Sequence, residues 1–141
     1  MRLIVTTATA LTLALASVVS LNANAAAARA PLNTVAEIDK NMLWVALAIE
    51  ISDTCGEIAP RTLKGLATLN SLRSRAKALG YSSEEIKAYV QSDVEKARIR
   101  TLGEAYVKSK GLNPADSGDL CALGFAEIDR KSQIGVLLKA K

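Results

Sequence analysis

Histidine is absent from the 141 residues, and this one gap removes a large block of chemistry. Without it there is no Ser-His-Asp or Cys-His arrangement, and the commonest side-chain ligand for zinc, copper and haem iron is missing. Cysteine is scarce as well. Only Cys55 and Cys121 occur, with no C-x-x-C pair, too few thiolates to hold an iron–sulfur cluster. No glycine-rich loop is present to cradle a dinucleotide or a nucleoside phosphate. Sustained alternation of β-branched residues is missing too, so strand signals are nearly absent. Together these gaps point away from an enzyme and imply neither a cofactor nor a metal.

What is present begins with an export signal. Met1-Arg2 precede an uncharged apolar and threonine-rich stretch from Leu3 to Leu21, and Asn22-Ala23-Asn24-Ala25-Ala26 follow. A short positive n-region, an h-region and an A-x-A site predict a signal peptide over residues 1–25, cut before Ala26. The alternative is an uncleaved anchor, because the apolar stretch approaches the roughly 20 residues that span a bilayer. No cysteine at the cleavage site suggests lipidation, and no twin arginine precedes the h-region. Beyond Ala26 the longest uninterrupted apolar run is Met42 to Ile49, so the mature chain has no transmembrane span. The expected address is periplasmic or secreted, which makes nucleic acid an unsuitable partner. Charge agrees: without Arg2, 17 basic residues face 14 acidic ones, a mild +3. In an oxidising compartment an even cysteine count reads as a disulfide, Cys55 to Cys121, closing a long loop.

The predicted fold is all-α: a small single-domain bundle of about four helices plus a short C-terminal helix, with one disulfide. Residues 26–33 form a flexible leader and residues 34–141 the helical domain. Thr34 and Glu37 suggest a capping box opening helix 1, Thr34 to Thr54. That helix carries two apolar stripes, Val35, Ile38, Met42, Val45 and Ile49 on one side, and Trp44, Leu47 and Ile51 on nearly the opposite side. The second stripe is either core or a candidate partner surface. Pro60 suits the first turn of helix 2, whose apolar face is Leu66, Leu69, Leu72, Ala76 and Leu79 and whose stop is Gly80. Ser82 with Glu85 makes a capping box, and Tyr81 can staple against Ile86. Helix 3 then runs to Lys110 with Ile86, Val90, Val94, Ala97, Thr101 and Ala105 inward. Asn113 to Gly118 form a turn-rich linker. Helix 4 starts near Asp119 with Leu120, Cys121 and Ile128, and Ser132 caps a short last helix bearing Ile134, Leu137 and Leu138.

Three charged groups bear on function. Glu50, Asp53 and Glu57 near one cysteine, with Glu127 and Asp129 near the other, make a carboxylate-dependent hydrolase conceivable, although solvated helix ends explain them more simply. Asp116 and Asp119 lack the alternating acids and terminal glutamate of a calcium loop. Between Glu57 and Glu84 no acid occurs, while Arg61, Lys64, Arg73, Arg75 and Lys77 give helix 2 a candidate basic face that would attract an anionic partner or a lipid surface.

Cys55, Arg61, Gly80-Tyr81, Cys121-Ala122-Leu123-Gly124, Glu127-Ile128 and Ser132-Gln133-Ile134-Gly135 carry a resemblance over the whole mature chain. It resembles an uncharacterised family of short exported bacterial helical proteins, a domain of unknown function, with the motif C-A-L-G-x-x-E-I followed by S-Q-I-G-x-L-L. Gly56 stands where such chains carry proline. The resemblance implies export, helices and a disulfide, and no catalytic residue. Members are sometimes encoded among genes for respiratory NADH:quinone oxidoreductase, implying an accessory factor on its outer face. The expected function is an exported non-enzymatic interaction protein or accessory subunit whose partner is another envelope protein. A stress chaperone or envelope-binding module is the alternative. Partner identity, ligand and oligomeric state stay open.

Overall fold

The computed structural model describes residues 29–141; the predicted signal peptide lies outside them. Among the described residues, five α-helices and one small sheet make up the fold: α1 Ala36–Thr54, β1 Ile58–Pro60, α2 Thr62–Ala78, α3 Ser83–Gln91, α4 Asp93–Ser109, α5 Ser117–Asp129 and β2 Leu138–Ala140. No helix among the described residues is long and apolar enough to cross a membrane.

Residues 29–34, the described part of the chain ahead of Val35, are held against the fold. Leu32–Thr34 form a 3-10 turn that buries Leu32. The Arg29 guanidinium lies 5.1 Å from the centre of the Tyr81 ring, and the Tyr81 hydroxyl donates to the Ala30 carbonyl. The Thr34 hydroxyl turns back to the Pro31 carbonyl at 2.7 Å, so the expected Thr34–Glu37 capping box does not form and α1 starts two residues later.

Both stripes of α1 are used, which makes it the central helix. Ile38 packs with Leu32, Ala76 and Tyr81 in a smaller cluster. Val45, Leu47, Ala48 and Ile51 enter the main core with Cys55, Ile58, Val107, Leu120, Leu123, Ile134, Leu137 and Leu138. Leu47 and Ile51 are therefore part of the core. Trp44 is half-buried, edge-on to Tyr106 with ring centroids 5.3 Å apart. Ile49, expected inward, is 52% exposed.

The disulfide joins Cys55 at the end of α1 to Cys121 in α5, with Cα atoms 5.1 Å apart and a sequence separation of 66. Closing so long a loop restricts the unfolded chain by about 4 kcal/mol in the chain-entropy model. Next to it α5 crosses α1 at Gly124, where an added Cβ would lie 2.6 Å from Ile51 and 2.5 Å from Ile58. Only glycine permits that approach.

Two expected helical pieces are extended instead. Pro60 ends β1 rather than opening α2, and β1 pairs antiparallel with β2, Ile58 opposite Ala140 and Pro60 opposite Leu138. Pro60 lacks an N–H, which the edge of a two-stranded ribbon tolerates. The expected last helix shrinks to the 3-10 turn Gly135–Leu137, after which Leu138 turns extended to bury itself beside Ile58. Three-residue strands are too short to display a period of two, which is why pattern reading missed them.

At the α2–α3 junction Gly80, at φ +91, lets its own N–H reach Lys77 and the Tyr81 N–H reach Ala76. These are the two bonds of a Schellman close. Ser82 and Glu85 then form a reciprocal capping box. Hydrogen bonding to the Ser82 backbone, ahead of the Arg29 charge, holds the Glu85 carboxyl below its ordinary pKa.

Helix 3 does not run to Lys110. Ser92 leaves the helical region (φ −63, ψ 120) and its hydroxyl accepts from the Glu95 N–H, ending α3 and starting α4. The break changes which face of α4 points inward. Val94 is 77% exposed, and Ala97, Thr101 and Ala105 are exposed, while Ile99, Gly103 and Val107 are buried.

Candidate functional site

The inverted face of α4 forms one wall of a concave groove. Leu43, Ala46, Leu47, Ile49 and Glu50 fall three or four residues apart on one side of α1, opposite Lys96, Ile99, Arg100, Gly103, Glu104 and Val107 of α4. Between them lies a half-open groove of about 460 Å³, closed at one end by Leu120 and Pro114. Gly103 sets its depth, since an added Cβ would stand 3.3 Å from Leu47 Cδ2. The floor is aliphatic, and Glu50, Glu104, Lys96 and Arg100 bring both signs of charge to the rim. A concave apolar volume of this size with few polar groups is what ligand-binding sites commonly offer.

A polar cluster braces the other end. Arg98 grips Asp39 through both terminal nitrogens and donates from Nε to Glu95 at 2.8 Å. The Tyr89 hydroxyl donates to Asp39 at 2.9 Å, and Asn33 donates to Glu95 at 2.7 Å. The bidentate pairing fixes direction as well as distance, so α1, α3, α4 and the turn at Asn33 are locked together. The two carboxylates hold Arg98 firmly protonated. Burial, then the hydrogen bond to Asp39, pushes the Tyr89 hydroxyl well above its ordinary pKa.

The two halves of the C-terminal motif meet on the far side of α1. Glu127, 0% exposed, accepts from the Tyr106 hydroxyl at 2.6 Å and from Arg130. Its Oε2 has no protein partner among the described residues. Burial, followed by the bond to Glu127, raises the Tyr106 pKa. Ser132 Oγ accepts from the Gly135 N–H at 3.0 Å, and a Cβ on Gly135 would fall 1.8 Å from the Glu127 carbonyl oxygen. Gly135 thus has to be glycine for the chain to cross α5 there. A shallow cavity of about 180 Å³ lies over this crossing, lined by Trp44, Tyr106, Glu127, Ser132, Gln133 and Ile134.

The other residues singled out by sequence are scattered. Glu50 reaches the groove rim, Asp53, Glu57 and Asp129 are exposed, and Glu127 is sealed, so no pair of these acids flanks the groove. Asp116 caps α5 by accepting from the Asp119 N–H at 2.9 Å, and Asp119 accepts from the Asn113 N–H at 2.8 Å. Both are structural. The one cluster of potential metal-ligand atoms among the described residues is Cys55, Glu57 and Cys121, whose sulfurs are bonded to each other and hold no thiolate for a metal. Arg61, Lys64, Arg73, Arg75 and Lys77 are all exposed on or next to α2. Arg75 pairs with Glu37 at 2.8 Å. Of the expected apolar face of α2 only Ala76 is buried, Leu69 and Leu72 are half-buried, and Leu66 is 53% exposed.

A protein-family model matches residues 30–139, nearly everything from the 3-10 turn to β2. The chain belongs to DUF5333, a family of unknown function. Membership agrees with the resemblance carried by the C-A-L-G-x-x-E-I and S-Q-I-G-x-L-L motifs, whose residues this chain uses for the disulfide, the Gly124 crossing and the Gly135 crossing. No curated protein and no solved structure matches the chain.

The groove was not legible in the sequence, because its α4 wall lies on the face opposite the continuous stripe of Val94, Ala97, Thr101 and Ala105. One available signal was Ser92-Asp93-Val94-Glu95, a serine three residues before a glutamate, which marks a helix start.

Proposed function

We propose that this chain is an exported, non-enzymatic binding protein that takes an apolar segment of another envelope protein into the α1–α4 groove. The observation that carries the reading is the groove itself, with an aliphatic floor and Ile49 half exposed at its lip. Leaving such side chains in water forgoes roughly 25 cal/mol for each Å² that a partner could cover. The mixed-sign rim favours a polypeptide segment, whose backbone and side chains supply both donors and acceptors. Export is supported by the n-region, h-region and A-x-A site of residues 1–25 together with a disulfide that an oxidising compartment would preserve.

The test is a photo-crosslinking residue placed at position 104, across the groove from Ile49, in living cells. A single stoichiometric protein adduct, lost when Ile49→Glu is introduced in a protein that melts like the wild type, is the expected outcome. An adduct containing a subunit of respiratory NADH:quinone oxidoreductase would identify the chain as its accessory factor. Many heterogeneous adducts would favour a chaperone, and no protein adduct would defeat the reading.

A further inference from the structure

Helix α2 contributes nothing to the groove, and of its residues only Ala76 is buried. It rests on the body through Leu69, Leu72 and Ala76, spaced three and four apart on one side. On one flank, beside that buried stripe, Leu63, Leu66, Arg73 and Lys77 gather at helical spacing and are exposed. Leu63 is 84% exposed, the most exposed large apolar residue among the described residues. Arg61 precedes the helix and Lys64 stands on its other flank. Arg61, Lys64, Arg73 and Lys77 take part in no salt bridge among the described residues, and residues 58–83 contain no acid to neutralise them.

We propose that this exposed flank of α2 docks on an anionic phospholipid surface, with Leu63 and Leu66 entering the headgroup–acyl boundary and Arg73 and Lys77 meeting lipid phosphates. Charge complementarity names this occupant. Exposed leucines interleaved with lysine and arginine on one helix face are the composition of helices that lie in the membrane interface. A protein hot spot would be expected to offer tryptophan or tyrosine, and residues 61–80 contain no aromatic side chain. Nucleic acid would use the cations and leave the two leucines in water. Docking by α2 leaves the groove free, so the protein could hold its partner at the membrane surface.

The experiment is co-sedimentation of the protein, as isolated from its own cells, with vesicles of phosphatidylethanolamine and phosphatidylglycerol and with vesicles of phosphatidylcholine alone. Binding to the anionic vesicles only, abolished by high salt, is expected. Each cation near such a surface is worth about fivefold in affinity, so the double variant Arg73→Gln, Lys77→Gln should bind on the order of 20-fold more weakly while melting like the wild type. Leu63→Ser, at a position too exposed to affect folding, should weaken binding severalfold at each salt concentration at which the wild type still binds. Equal binding to both vesicle types, indifference to these substitutions, or tighter binding to single-stranded DNA than to anionic vesicles would overturn the proposal.

Discussion

Leu47→Ala tests the central claim about the fold, that α4 closes on α1 at Gly103 and turns the second stripe of α1 into core. Leu47 is buried within the main cluster, and truncating a buried leucine costs about 2 to 5 kcal/mol. The structure narrows that range. One side of Leu47 lines the half-open groove, so the space left by the missing atoms joins the groove and fills with water rather than persisting as a sealed void. The transfer part of the cost survives and much of the cavity part is shed, leaving about 2 to 3 kcal/mol. For a domain of this size that lowers Tm by roughly 10 °C. Ile51 supplies the contrast. It is 0% exposed and enclosed by the Gly124 crossing and Ile58, so Ile51→Ala should cost more, about 4 kcal/mol. Leu63→Ala, on the open face of α2, should change stability by less than about 0.5 kcal/mol.

Urea unfolding read by tryptophan fluorescence is the assay, since Trp44 is the only tryptophan and its contact with Tyr106 breaks on unfolding. The expected order of destabilisation is Ile51, then Leu47, then Leu63. If Leu47→Ala unfolds with the wild type while Ile51→Ala does not, α4 does not seat on α1 at Gly103. The groove would then lose its wall.

Other outcomes are as specific. Removing the disulfide with Cys55→Ser and Cys121→Ser together should lower stability by about 4 kcal/mol, read as a fall in the urea midpoint that 1 mM reductant reproduces in the wild type but not in the variant, on the order of concentration that exchange chemistry needs. Gly135→Ala should prevent folding, because its Cβ would overlap the Glu127 carbonyl and both segments are pinned in the core; loss of cooperative melting by circular dichroism checks it, and a normally folded variant would refute the crossing. Stability should also fall as pH rises above about 10, where unfolded tyrosine ionises while Tyr89 keeps its proton in the fold. The folded state then holds more protons than the unfolded one, so the slope with pH is negative. Tyr89→Phe should flatten that slope in urea titrations between pH 9 and about 11, and an unchanged slope would refute the assignment.

How much of this was legible in the sequence depended on whether a signal was local. Gly80, Ser82 and Glu85 act on their immediate neighbours, so the α2–α3 junction could be read outright, and the structure has both the glycine close and the reciprocal cap. The Cys55–Cys121 pairing was legible for a different reason, since two cysteines allow only one bridge. The fate of Leu47 and Ile51 was not settled by their spacing, because two apolar stripes on one helix say that something covers each and not whether it belongs to the same chain. The β1–β2 pairing was hidden altogether, since its decisive contact is between residues 58–60 and 138–140 and each partner alone is three residues of unremarkable composition.

Ser92 shows how one missed local choice spreads. A serine within an apolar-periodic segment costs a helix little, so Ile86, Val90, Val94, Ala97, Thr101 and Ala105 read as one continuous stripe. Its hydroxyl instead bonds the Glu95 N–H, the chain turns, and the second helix restarts with a new orientation. Once the helix is cut there, Ile99, Gly103 and Val107 form a shorter stripe at spacing four and four, on nearly the opposite side from Ala97, Thr101 and Ala105. Glu95 stabilises the choice a second time by holding Arg98 at 2.8 Å, which in turn grips Asp39 of α1. The cap, the ion pairs and the glycine contact with Leu47 agree with one another, and only their agreement selects the face of α4 that walls the groove. The candidate site is thus a consequence of one serine hydroxyl choosing a backbone N–H over solvent, a choice worth about 1 kcal/mol locally, with the tertiary contacts of α4 depending on it.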